Sequence, residues 1–286
     1  MSPDGRQVAY VSDRNGVPQL WVQDVGEVGE AIPVGKQLEL SADPVVSVHW
    51  SADGQWLAAV LATDGGVRTQ VWVVRPDGGD ARCVAGSREK HATLGPWTRN
   101  GHRLVVAMPP GGPLEESVCD LVDPVTGNHQ PLAHGVLVDV LDLSPDERFA
   151  LLRDGTRGAQ FVRTLDCVRD QDFDLLPYPG TGSTESGFLR VPPPGIIAPA
   201  EGLTRTDFVA YLITDAGVSR YELLAVPIGP DGRRGSGGAI MARHDADVEF
   251  ADADDNGRLV VVAWNVDGRS ELELLDLVTN ERIPVE

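Results

Sequence analysis

The sequence predicts an all-β protein, a β-propeller of about six four-stranded blades, on three observations. A unit of about 50 residues recurs along the chain, each clear copy opens on a Pro-Asp-Gly-type turn, and the apolar runs between turns are short and β-branched. Ser2-Pro3-Asp4-Gly5-Arg6-Gln7-Val8-Ala9-Tyr10-Val11 returns as Ser51-Ala52-Asp53-Gly54-Gln55-Trp56-Leu57-Ala58-Ala59-Val60, and again as Ser144-Pro145-Asp146-Glu147-Arg148-Phe149-Ala150-Leu151-Leu152. Shorter copies start near Thr98, Thr206 and Asn256. A unit of this length cannot bury both faces of its own sheet, so it must stack on neighbouring units.

The elements follow in order. Proline presets φ in the opening turn, aspartate bonds its own backbone and glycine supplies positive φ. The next run, such as Val8-Ala9-Tyr10, reads as a strand. A glycine turn comes next (Gly16, Gly158, Gly217, Gly268), then a second apolar run such as Leu20-Trp21-Val22 or Leu272-Glu273-Leu274-Leu275. A polar turn (Val125-Thr126-Gly127-Asn128, Val278-Thr279-Asn280-Glu281) and a short last segment complete the unit. Runs with apolar residues on both faces, as in Leu259-Val260-Val261-Val262-Ala263, suit a sheet covered on both sides. The expectation is one domain over 1–286, with repeats near 2–48, 49–95, 96–141, 142–200, 201–252 and 253–286.

Two irregularities stand out. The stretch Leu176 to Leu203, with Gly180-Thr181-Gly182-Ser183-Thr184-Glu185-Ser186-Gly187 and Pro192-Pro193-Pro194-Gly195, is expected as a long exposed loop, either a surface insertion or a lid or docking element. The first repeat opens at its turn, whereas the second has a leading strand, Val45-Val46-Ser47-Val48-His49-Trp50. The first or last blade is therefore expected to lack a strand and expose a sheet edge, and the ring can be an incomplete one of six or seven blades.

The formal charge of −19 repels phosphate-bearing partners, and no basic patch offsets it, so nucleic acid and anionic membranes are not expected as partners. Cys83, Cys119 and Cys167 are widely spaced without a C-x-x-C, which reads as buried, reduced thiols. The opening residues lack a basic-then-apolar segment, and runs such as Leu259 to Trp264 are far too short to span a bilayer, so a cytoplasmic location is expected.

Ser2 to Val22, read as Ser-Pro-Asp-Gly-Arg-x-Val-Ala-Tyr-Val-Ser-Asp-x-x-Gly-x-x-x-Leu-Trp-Val, resembles the TolB-type, WD-like propeller repeat. With the run Trp264 to Asp276, the whole chain is most similar to the N-terminal propeller of prolyl oligopeptidase family serine peptidases. The resemblance implies a propeller that sits over an α/β-hydrolase domain, limits access to short peptides and contributes loop contacts. It does not supply the hydrolase, which needs a Gly-x-Ser-x-Gly elbow. Gly217-Val218-Ser219-Arg220-Tyr221 and Gly268-Arg269-Ser270-Glu271-Leu272 match only in part and fall on inter-strand turns.

No cofactor and no catalytic residue is expected in this chain. The best metal candidates are Asp252, Asp254 and Asn256, from Asp252-Ala253-Asp254-Asp255-Asn256-Gly257, whose alternate oxygen ligands match the first half of a calcium loop; Ala263 stands where the bidentate glutamate belongs, so a solvated turn is favoured. The six histidines show no metal-ligand spacing; His49 can line the inner channel, although a packing role is favoured for it. Trp21 and Trp72 recur at equivalent places and are expected in the core, and Arg68, Arg157, Arg220 and Arg269 recur near one turn, where solubility is favoured over a ring of charge. The expected function is a non-catalytic propeller module of a prolyl oligopeptidase-like serine peptidase, partnered by its α/β-hydrolase domain and short peptides. The alternative is a stand-alone TolB-like protein-interaction scaffold.

Overall fold

The structure is a computed structural model, and it describes residues 1–26, 35–112, 115–192, 203–254 and 256–285. Among the described residues every regular element is a β-strand except a single 3-10 turn at Asp64–Gly66. Their strands form six antiparallel sheets in sequence order, five of four strands and one of three. No helix of the described residues is long and apolar enough to cross a membrane.

The chain divides into two compact units, residues 1–138 and 139–286. The first unit holds three sheets. β1 (Gln7–Ser12), β2 (Gln19–Asp24) and β3 (Lys36–Leu38) form the three-stranded one. β4 (Val45–Trp50), β5 (Leu57–Thr63), β6 (Arg68–Val74) and β7 (Arg82–Ala85) form the second. β8 (Thr93–Trp97), β9 (Leu104–Met108), β10 (Ser117–Val122) and β11 (His129–Gly135) form the third. Their apolar faces pack sheet on sheet: Leu20, Val22 and Leu38 meet Leu57, Leu61 and Val74, while Trp56, Val71 and Val73 meet Leu104, Val106 and Val122.

The second unit repeats the plan. β12 (Asp139–Leu143), β13 (Phe149–Asp154), β14 (Phe161–Asp166) and β15 (Gln171–Asp174) make its first sheet. β16 (Thr184–Arg190), β17 (Phe208–Thr214), β18 (Glu222–Ile228) and β19 (Gly238–Met241) make the next. β20 (Asp247–Ala253), β21 (Leu259–Val266), β22 (Arg269–Asp276) and β23 (Glu281–Val285) make the last. Phe149, Leu151 and Val162 pack on Leu189, Leu212 and Val226, and Tyr211, Leu223 and Met241 pack on Val248, Val262 and Trp264. β17 is buried along its whole length, which explains why Phe208-Val209-Ala210-Tyr211-Leu212-Ile213 is apolar without alternation.

The repeated turn has one hydrogen-bond plan. Ser2 Oγ donates to Asp4 Oδ1 at 2.7 Å and accepts from Gln7 N at 2.9 Å, while Arg6 N donates to Asp4 Oδ1 at 3.1 Å. Ser51, Asp53, Gln55 and Trp56 repeat this at 2.7, 3.0 and 2.9 Å. Ser144, Asp146, Arg148 and Phe149 do so at 2.6, 3.3 and 2.9 Å. Gly5 and Gly54 sit at φ 73° and 68°, and Glu147 takes the same left-handed place at φ 57°.

Two expectations need correction. Part of the stretch expected as a long exposed loop is the edge strand β16, and Thr184, Gly187, Phe188, Leu189 and Arg190 are buried; its Gly-Ser-Thr-rich lead-in looks like loop, and only packing against β12 and β17 identifies the strand. Residues 193–202 of that stretch lie outside the described residues. Of the cysteines, none of them in a disulfide, Cys119 is buried and Cys167 partly so, but Cys83 is exposed because it lies on the short edge strand β7. The first sheet has the missing strand expected of a terminal repeat: β1 stands where β5, β9, β13, β17 and β21 stand in their sheets, with no strand on its other side among the described residues.

Candidate functional site

The serine–aspartate pairs of the repeated turn are structural. Each aspartate caps backbone N–H groups of its own turn, and each serine hydroxyl is spent between that carboxylate and a strand amide. Ser219 lies in the turn between β17 and β18, and Ser270 lies in β22 with Oγ donating to Glu249 Oε1. Neither half-match to the nucleophile elbow stands on the strand-to-helix turn the motif requires. Burial pushes the Cys167 thiol up to about 11, aided by the Asp166 charge, which leaves it a poor nucleophile.

In the second unit the conspicuous cluster lies on the leading strands of three successive sheets. Arg190 of β16 is 7% exposed and stacks on Phe188 at 4.8 Å. Its Nη2 donates to Asp252 Oδ1 of β20 at 2.8 Å and to Ala253 O at 3.0 Å, and its Nη1 donates to Leu189 O at 2.9 Å and lies 3.5 Å from Asp142 Oδ2 of β12. Asp142, itself buried, accepts from Leu143 N and Leu189 N, both at 2.8 Å. The cluster is saturated within the protein, so it ties strands together. The sequence signal was available in retrospect: Asp142 and Arg190 are single charges inside the apolar runs Val140-Leu141-Asp142-Leu143 and Phe188-Leu189-Arg190-Val191.

The metal candidates do not converge. Asp252 is committed to Arg190 and to Ala253 N, Asp254 Oδ1 accepts from Arg258 N at 2.7 Å and Leu259 N at 2.9 Å, and Asn256 is exposed in the turn. No group of three or more His, Cys, Asp or Glu side chains able to hold a metal occurs among the described residues.

Three of the four recurring arginines are ion-paired. Arg157 reaches Glu185 of the next sheet at 2.7 Å and Arg220 reaches Asp247 of the next sheet at 3.0 Å, whereas Arg68 pairs within its own turn with Asp64 at 2.7 Å. Arg269 is exposed at the start of β22. Trp21 is buried beneath the Arg14 guanidinium, 4.1 Å from its ring, and the half-buried Trp72 donates to Gln70 Oε1 at 3.0 Å.

The first unit carries a recess of about 420 Å³ between β4 and β8, lined by Val48, His49, Trp50, Leu94, Pro96 and Trp97, with Met1 and Gly95. A shift in register between Leu94 and Trp97 bends β8 here, and Gly95 permits it, since a Cβ would sit 2.9 Å from Val105 Cβ. Trp50 and Trp97 hold equivalent places just before their turns, both half-buried, with indole N–H groups unpartnered among the described residues. His49 is exposed at the recess, yet desolvation by its surroundings lowers the imidazole pKa below its ordinary 6.5. Two aromatic walls and an imidazole that stays neutral make a surface suited to uncharged, partly apolar groups. The remaining histidines are engaged elsewhere or exposed: His102 with Asp53 at 2.8 Å, His129 with Asp120 at 3.0 Å, His134 with Glu116 at 2.8 Å, His91 accepting from Thr69 N at 3.0 Å, and His244 facing solvent.

No protein-family model and no curated protein matches this sequence. Solved structures do match. TolB from Acinetobacter baumannii is similar over 98% of this chain and 64% of its own, with a TM-score of 0.58 and 16% identity. A prolyl endopeptidase, from a study of two such enzymes and their inter-domain dynamics, is similar over 99% of this chain and 41% of its own, with a TM-score of 0.67 and 16% identity. The chain thus spans less than two thirds of either protein, and at this identity the likeness is one of fold. Six consecutive antiparallel sheets and these matches together make the chain a β-propeller protein, structurally similar to the propeller regions of TolB and of prolyl endopeptidase.

Proposed function

We propose that this chain is a non-catalytic propeller module of a prolyl oligopeptidase-like serine peptidase, gating the access of short peptides and contributing contacts to them or to an α/β-hydrolase domain. The observation that carries the reading is coverage: nearly the whole chain superposes on less than half of a prolyl endopeptidase. What supports a place for such contacts is the recess walled by Trp50 and Trp97, whose aromatic rings suit apolar peptide side chains. The likeness to TolB supports the second reading, a protein-interaction scaffold.

Two measurements test the proposal. Translating the coding DNA on both sides of this frame is expected to find a domain with a Gly-x-Ser-x-Gly elbow; its absence favours the scaffold. The purified chain is expected not to cleave a chromogenic peptide, and cleavage abolished by a serine-directed inhibitor would overturn the non-catalytic role.

A further inference from the structure

β1 differs from its five counterparts. In each other sheet, the strand after the repeated turn pairs antiparallel on one side with a leading strand: β4 on β5, β8 on β9, β12 on β13, β16 on β17 and β20 on β21. β1 pairs only with β2 among the described residues. The burial differs accordingly: all six residues of β1 are half-buried, while β17 is wholly buried and β5 and β13 largely so.

The backbone fixes what that edge offers. Arg6 O accepts from Val25 N on the β2 side, whereas Gln7 O accepts from Ser2 N on the other. Alternation then directs the N–H and C=O groups of Ala9 and Val11 to the unpaired edge. Their counterparts in the second sheet, Ala58 and Val60, stand opposite His49 and Ser47 of β4. Edge strands are commonly blunted by lysine, proline or a bulge. Gln7-Val8-Ala9-Tyr10-Val11-Ser12 has no lysine and no proline, and its register with β2 is unbroken.

We infer that β1 takes an extended segment of a partner polypeptide by strand addition, antiparallel to Gln7–Ser12 and bonded to Ala9 and Val11. The leading strand of the second sheet shows the chemistry that fits: Val45-Val46-Ser47-Val48-His49 is β-branched and carries no carboxylate, as suits a host of net charge −19. This proposal does not depend on the peptidase reading.

The test uses the full chain and a synthetic peptide with the Pro44–His49 sequence, read by amide hydrogen exchange. The peptide is expected to slow exchange at Ala9 and Val11 at least about tenfold, while a control peptide with Ser47→Pro and His49→Pro, which lacks both donors, leaves it unchanged. Equal exchange with both peptides overturns the proposal. So does slow exchange at these amides without peptide, whether the cover comes from this chain or from a second copy detected by its mass in solution.

Discussion

Arg190 and Asp252 meet at 2.8 Å across β16 and β20, and the same guanidinium stands 3.5 Å from Asp142 on β12, so one buried arginine joins the leading strands of three consecutive sheets. Removing one partner of a buried pair leaves the others unpaired, at about 3–5 kcal/mol. Arg190→Met is therefore expected to destabilise the protein by about 3 kcal/mol or more in urea unfolding. Asp252→Asn, at a half-exposed side chain, is expected to cost much less.

Glu147 occupies a turn place that Gly5 and Gly54 fill elsewhere, at a left-handed φ where a Cβ is crowded. Glu147→Gly relieves that crowding at some cost in chain entropy, so a net gain of about 0.5–1 kcal/mol is expected. Gly54→Ala is expected to lose about 1 kcal/mol at the equivalent place. Thermal unfolding of the two variants checks the opposite signs.

Burial alone pushes the Asp166 carboxyl up, but the hydrogen bond from Arg148 at 2.8 Å, with those from Arg169 N and Val168 N, holds it below its ordinary 3.8. A depressed folded pKa contributes stability that is complete above 3.8 and disappears as pH falls through the folded value. Asp276, held down by Arg258 at 2.7 Å, repeats the device in the last sheet. Melting temperature followed from pH 6 to about 2.5 is expected to fall on the acid side, and less steeply in Asp166→Asn.

Desolvation lowers the His49 pKa, so the folded protein keeps this imidazole neutral where the unfolded chain binds a proton. Its contribution to stability is complete above 6.5, falls as pH drops toward the folded pKa and levels off below it. NMR titration is expected to place His49 below 6.5, and Trp50→Ala, which opens the recess to water, to return it toward that value.

The propeller reading needed only the sequence, because its evidence is local. Ser51, Asp53 and Gly54 form their turn within six residues, and the same hydrogen bonds recur wherever the same residues do. The edge at β1 was legible for the same reason, as a shift in where the first repeat opens. The tertiary structure alone decided what depends on residues distant in the chain. Arg190 meets Asp142 and Asp252 across 48 and 62 positions, Trp50 and Trp97 share a recess only because the ends of β4 and β8 line it together, and β16 emerges from an apparent loop only when β12 and β17 pack against it. Turn chemistry is written within a few neighbouring side chains, whereas burial and charge pairing are fixed by strand register and by which sheets stack.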